Sequence, residues 1–260
     1  MKRTAKRLVM LMTMLLVLTM AAGATIAWGS VTVPTKGKKY VYNSSTKKWV
    51  KTDTSFTATF SGSGKLKKYT FTYGPNDKST VTYTWSGDRL KKYKSSYTGA
   101  KTHTATYSYK NGKPSKVSGK SFKTVYKWKG NKGTITQTAG KEKYKYKMTL
   151  KNGRISSETE LETSAKWTYS YYQRGLRKKT TYKSKNGKTI STYGKNGFLK
   201  KRTSGSSTTT YNWKKNEVII TNKDNGKVTG KYKWKFSKTK RVSRVWNCDA
   251  TGFSTYFNLY

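Results

Sequence analysis

Three glutamates, Glu158, Glu160 and Glu162, occupy alternate positions in a chain that has only ten acidic residues. On a β-strand this spacing puts all three carboxylates on one face, where two could work as an acid–base pair or hold a weak cation. The competing reading pairs them with lysines across the ladder, relieving local repulsion, and in so basic a chain it is the one adopted. His103 is the single histidine, which excludes a multi-histidine metal centre and leaves no Ser-His-Asp constellation. Between Thr102 and Thr104 it reads as an exposed polar residue. Cys248, the single cysteine, cannot close an internal disulfide and reads as a small residue near the C-terminus. No glycine-rich phosphate loop, metal motif or nucleophile elbow appears. The expectation is a non-catalytic protein with no metal and no cofactor.

The plentiful chemistry is positive charge. Lys and Arg number 56 against 10 Asp and Glu, a net charge of +46. Forty-seven of the basic residues are Lys and nine are Arg. Lysine is a hydrated point charge, whereas arginine suits bidentate recognition, so the composition favours diffuse attraction to a polyanion. Basic pairs recur behind an aliphatic: Lys67 and Lys68, Lys91 and Lys92, Lys178 and Lys179, Lys200 and Lys201. With two strands per unit, such pairs would repeat every ~10 Å. That ladder could track a linear anionic polymer such as teichoic acid or acidic polysaccharide. Nucleic acid would be held only non-specifically, because nothing here reads bases. The bland reading is a solvated face, since lysine also guards sheet edges against pairing. Trp85, Trp128 and Trp213 supply candidate stacking rings, and they motivate an alternative function as a carbohydrate-binding module for neutral glycans.

These residues sit in a repeat. Phe60, Trp85, Tyr109, Trp128, Met148, Tyr171, Tyr193, Trp213 and Phe236 each end a short alternating stretch, at intervals of 19 to 25 residues. In seven of these nine units a second aromatic stands two positions earlier: Tyr83, Tyr107, Tyr126, Tyr146, Tyr169, Tyr211 and Trp234. Residues two apart share a strand face, so each unit presents an aromatic pair on one side. An apolar residue returns five to eight positions later, at Leu66, Leu90, Val117, Ile135, Ile155, Leu176, Phe198, Val218 and Val242. Asn-Gly occurs five times, the dipeptide that a type I′ hairpin turn favours. Composition alone would argue against a core, because Leu, Ile, Val and Phe make up 32 of the 236 residues after Ala24. Regular aromatic spacing argues for one. Hairpins repeating at this period bury against their neighbours what none could bury alone.

The unit resembles the tyrosine-aspartate (YD) repeats of bacterial surface and Rhs-like proteins. The resemblance rests on Tyr83-Thr84-Trp85-Ser86-Gly87-Asp88-Arg89-Leu90, on Tyr107-Ser108-Tyr109-Lys110-Asn111-Gly112 and on Lys151-Asn152-Gly153-Arg154-Ile155. Ser86 and Lys110 stand where the family has Asp. The resemblance implies an extended β-sheet associated with cell surfaces rather than an activity.

Lys2, Arg3, Lys6 and Arg7 precede an apolar run from Leu8 to Met20 and the small residues Ala22-Gly23-Ala24. This order reads as an export signal cleaved after Ala24, or after Ala27, and leaves a mature chain of about +42. The predicted organisation is a signal peptide (1–24), an N-terminal cap segment (25–55), about nine hairpins (56–246) and a C-terminal capping strand (247–260). The predicted fold is all-β, an antiparallel hairpin meander in a single twisted or curled sheet. The expected function is a secreted or cell-surface scaffold attached to anionic envelope polymers, located outside the cell or in its envelope, with no stable membrane span after cleavage. A transmembrane barrel ranks lower, because its strands need an apolar lipid-facing side and Lys141–Lys147 alternates lysine with aromatics instead. An enzyme or toxin built on the few acids also ranks lower. Raising the ionic strength should raise the melting temperature, because screening weakens lysine–lysine repulsion. A melting temperature flat from low to high salt would contradict the charge argument.

Overall fold

The computed structural model describes residues 31–242 apart from 88, 153 and 173–176. The signal peptide, Leu176, Trp246, Cys248 and the C-terminal capping segment lie outside the described residues. All regular structure among the described residues is β. The first six strands are β1 (Val31–Asn43), β2 (Lys48–Phe60), β3 (Leu66–Gly74), β4 (Asp77–Ser86), β5 (Arg89–Tyr97) and β6 (His103–Lys110). The next six are β7 (Lys113–Gly119), β8 (Phe122–Lys129), β9 (Lys132–Ala139), β10 (Glu142–Lys151), β11 (Arg154–Glu160) and β12 (Lys166–Tyr171). The last six are β13 (Arg177–Ser184), β14 (Gly187–Tyr193), β15 (Leu199–Ser204), β16 (Ser207–Trp213), β17 (Glu217–Asp224) and β18 (Lys227–Val242). Residues expected as an N-terminal cap thus supply β1 and most of β2.

Each strand pairs antiparallel with the one before it and the one after it, and the ring then closes on itself. β18 returns to lie beside β1, in register from Val31 opposite Val242 to Val41 opposite Tyr232. The expectation of one antiparallel hairpin meander holds, but the twisted or curled sheet is corrected to a closed barrel of 18 strands. Closure leaves no sheet edge to protect.

A recurring irregularity gives the wall its curvature. Just past the turns joining β2 to β3, β4 to β5, β6 to β7, β10 to β11, β12 to β13 and β14 to β15, one extra residue breaks the register. The extra residues are Lys67, Lys91, Ser115, Ser156, Lys178 and Lys200. Such bulges bend a strand and increase its twist, at the cost of disturbing the ladder. In five of the six, an aromatic on the following strand donates to the carbonyl of the residue before the bulge. Trp85 Nε1 reaches Leu66 O at 2.9 Å, Tyr109 OH reaches Leu90 O at 3.0 Å, and Trp128 Nε1 reaches Pro114 O at 2.8 Å. Tyr171 OH reaches Ile155 O at 2.7 Å and Trp213 Nε1 reaches Leu199 O at 2.8 Å. A satisfied bond of this kind contributes about 1 kcal/mol net, and leaving a buried carbonyl unmade costs more. This is why the repeat needs Tyr or Trp, with a polar tip, at these anchors rather than Phe.

The aromatic pairs of the repeat do point one way, into the ring. Tyr83, Tyr107, Tyr126, Tyr146, Tyr211 and Trp234 are buried there with Leu66, Leu90, Val117, Ile135, Met148 and Ile220. The turns follow the sequence in part. Asn111, Asn152 and Asn225 take positive φ, as a type I′ turn requires. In the Asn196-Gly197 pair only the glycine does, and Asn196 Oδ1 accepts from the Phe198 N–H at 3.1 Å inside a longer loop.

Glycine matters most at the seam. Phe56 of β2 crosses over Gly37 of β1 to meet Trp234 of β18, ring centroids 5.4 Å apart. A Cβ at Gly37 would stand 2.6 Å from the Phe56 ring and 3.1 Å from Lys235 O. Gly37→Ala should therefore destabilise the barrel by about 1–3 kcal/mol through overpacking. Gly62→Ala, where an added Cβ meets nothing within 4 Å, should be near neutral. Urea unfolding of the two variants checks this, and equal midpoints would contradict the seam packing.

Candidate functional site

Two strands bury a charged side chain in the interior. At the inward slot before the bulge, where β3, β5, β11 and β15 carry Leu66, Leu90, Ile155 and Leu199, β13 carries Arg177 opposite Tyr171. At the next inward slot, where β3 and β5 carry Tyr69 and Tyr93, β11 carries Glu158 opposite Met148 and Trp167. Glu158 is 2% exposed and Arg177 8%. An ionised side chain is rarely buried so deeply without a partner, and these two share one. Tyr169 OH donates to Glu158 Oε2, and the Arg177 guanidinium lies 4.5 Å from the Tyr169 ring centroid. The charge of the same carboxylate acts on Tyr126 of β8, and Tyr126 on Tyr107. Gln137, 1% exposed, adds a buried amide on β9.

Burial raises the Glu158 carboxyl to about 7, against the opposing pull of Tyr169 and Arg177. Burial also holds the phenols of Tyr107, Tyr126 and Tyr169 well above their ordinary value, so each remains a hydroxyl donor at neutral pH. Glu158 Oε1, Gln137 Oε1, Tyr107 OH and Tyr126 OH are buried without a hydrogen-bond partner. Each such group costs about 1–3 kcal/mol when left unsatisfied. Chemically, the cluster gathers a carboxyl close to its titration point, a guanidinium and several hydroxyls inside an aromatic core. A buried, strongly perturbed carboxyl with a specific charge partner marks a candidate functional site.

The glutamate triplet does not act as expected. Glu158 and Glu160 share the inner face, but both meet tyrosines rather than lysines. Tyr146 OH donates to Glu160 Oε1 at 3.1 Å, and Thr163 Oγ1 donates to its other oxygen. Glu162 lies exposed in the turn beyond β11. His103 is exposed at the start of β6.

The basic pairs Lys67 and Lys68, Lys91 and Lys92, Lys178 and Lys179, and Lys200 and Lys201 are exposed, and each begins with the extra residue of a bulge. They do not form one ladder. β3 and β5 stand on one side of the ring and β13 and β15 on the other, with seven strands between β5 and β13. That is an arc of roughly 40 Å. Trp85, Trp128 and Trp213 are not open platforms either. They pack against the core with their indole N–H groups bonded to backbone, and Trp213 stacks on Phe198 at 4.5 Å between centroids. The expected scaffold on envelope polymers required an open sheet with a continuous basic face, and the glycan alternative required free rings. The closed barrel overturns both.

No family model and no curated protein matches this chain. Among solved structures it is similar to a porin-like protein from Bacteroides uniformis ATCC 8492, at 12% identity and a TM-score of 0.35, covering 84% of this chain and 98% of that one. It is also similar to a chain of the TcdB2-TccC3-Cdc42 complex, at 7% identity and a TM-score of 0.31, covering 75% of this chain and 14% of that one.

The direction of the Glu158 shift fixes a pH dependence. A carboxyl raised from 4.5 to about 7 binds more protons in the folded state than in the unfolded state across that window. Stability is therefore greatest at or below pH ~4.5 and falls by up to about 3 kcal/mol as pH rises through 7. Glu158→Gln should flatten this slope in chemical denaturation between pH 4.5 and 7.5. A slope equal to wild type would show that Glu158 is not the group responsible.

Proposed function

We propose that this protein is an exported, water-facing β-barrel of the cell envelope or extracellular space, a non-catalytic module that binds a small polar ligand inside its ring. The observation that carries the reading is the buried cluster around Glu158, Arg177 and Tyr169, beside which Glu158 Oε1, Tyr126 OH and Tyr107 OH are buried without a hydrogen-bond partner. Binding pockets are mostly apolar, with a few convergent polar groups that fix orientation, and an aromatic interior in which a carboxyl and a guanidinium meet around Tyr169 has that character. The placement of charge supports a water-facing wall. On β10, Tyr146, Met148 and Leu150 are buried while Lys143, Lys145 and Lys147 are exposed. A lipid-spanning barrel has the opposite arrangement, apolar outside and polar within. The signal-peptide reading and the resemblance to tyrosine-aspartate surface repeats support the location.

A cluster retained for binding should not be one the fold needs. Buried ion pairs replaced by apolar residues of similar volume are often neutral or stabilising by about 1–4 kcal/mol. The double variant Glu158→Leu with Arg177→Met should therefore melt at or above the wild-type temperature. Native mass spectrometry of the protein purified from its producing cells should show an added small-molecule mass on wild type and none on the variant. A variant that unfolds, or one that retains the same added mass, would contradict the reading.

A further inference from the structure

The outer face of the seam carries a second constellation, independent of the lumen. Along β18, Lys231, Lys233 and Lys235 stand at alternate positions. Lys38 and Tyr40 face Lys235 and Lys233 on β1, Tyr42 follows Tyr40 on the same face, and Lys51 and Trp49 face Tyr40 and Tyr42 on β2. Their neighbours along β18, Trp234 and Phe236, are buried in the core, so this set points outward. Tyr42 and Trp49 meet edge to face with centroids 5.2 Å apart. Every ring has its own ammonium: Lys231 lies 5.3 Å from Tyr42, Lys233 4.5 Å from Trp49, and Lys235 5.4 Å from Tyr40. Elsewhere among the described residues most aromatics of the repeat point inward. Here three half-buried rings lie side by side on the surface.

From this geometry we infer that the seam face is a binding site for single-stranded nucleic acid, with bases stacking on Trp49, Tyr40 and Tyr42 and the phosphate chain lying along Lys231, Lys233, Lys235, Lys38 and Lys51. Each nucleotide has one base and one phosphate, and the patch sets an ammonium beside each of its three rings, with Lys38 and Lys51 alongside. Base–aromatic stacking beside a basic track binds single strands without sequence preference, which suits a chain poor in arginine. The lysines are crowded enough to favour an anion. Lys51 lowers the titration point of Lys38, and burial, with repulsion from Lys235 and Lys214, lowers that of Lys233 against the pull of Glu217. Phosphates relieve that repulsion, and the ammonium groups move from ring to phosphate as bases take their place. Glu217 stands opposite Lys235 on β17 and pairs with Lys214 at 3.3 Å, and Asp53 follows Lys51 on β2, so the five lysines of the patch outnumber its two acids.

Fluorescence anisotropy with a dye-labelled oligothymidylate of about ten nucleotides, in salt high enough to suppress diffuse attraction, tests the assignment. Replacing all three rings (Tyr40→Leu, Tyr42→Leu, Trp49→Leu) should weaken oligothymidylate binding at least ~10-fold and leave binding of inorganic polyphosphate within about twofold. Replacing Lys231, Lys233 and Lys235 with Gln should weaken both. Trp49→Leu against Trp49→Phe gives a milder comparison should the triple variant fold poorly: Phe keeps a stacking face and should retain binding that Leu loses. Unchanged oligothymidylate binding by the ring variants would overturn the inference. Tighter, ring-dependent binding of polygalacturonate would also overturn it, reassigning the patch to an acidic glycan.

Discussion

A sheet of hairpins that carries this much positive charge has little aliphatic surface with which to hold itself together, so everything depends on giving its aromatic face a common interior. The pairing of β18 with β1 does that. An open meander would expose one side of every Tyr and Trp and present two unprotected edges. Once the ring is shut, each inward ring packs against neighbours on both sides, and the lysines are left on the outside where water and counterions surround them. Gly37 shows how closely this is drawn, since β1 lacks a side chain where Phe56 must pass to reach Trp234.

Closure in turn depends on curvature, and curvature comes from the repeated bulge. The extra residue bends the wall and frees a carbonyl that the next strand's Trp or Tyr recovers. Sequence repeat and architecture are therefore linked by one hydrogen bond repeated around the barrel. The basic pairs are a by-product of the same device, because the bulge places two consecutive residues where lysine can reach solvent. What looked like a ladder in sequence is a mark of where the wall turns.

Much of the fold was legible in the residues. The aromatic pairs at alternate positions predicted one shared face, and Asn111, Asn152 and Asn225 predicted tight turns. Ring closure was not legible, because no local pattern records that residue 31 meets residue 242; that pairing is a consequence of accumulated twist. The lumen site was half visible. Aligning Leu176 with Leu66 hid the fact that Arg177 occupies the structural slot, an error of one residue that only the bulge register resolves. With the frame set, Arg177 at the pre-bulge slot, where the other five strands carry Leu66, Leu90, Pro114, Ile155 and Leu199, would have marked the site. Trp85, Trp128 and Trp213 misled for a different reason: strand alternation fixes the face of a ring but says nothing of which face meets water.

The same segregation that stabilises the barrel defines its two chemistries, a secluded interior in which Glu158 and Arg177 meet around Tyr169 and an exterior dominated by lysine. Both depend on the ring being shut, and that is open to a direct distance measurement. With Cys248 replaced by Ser, spin labels at Lys38→Cys and Lys235→Cys, which face each other across the seam, should give an electron–electron distance under about 20 Å, the strand spacing plus two label arms. A distance of many tens of ångströms, as an open eighteen-strand sheet spanning roughly 80 Å would give, would contradict the closed barrel and the account built on it.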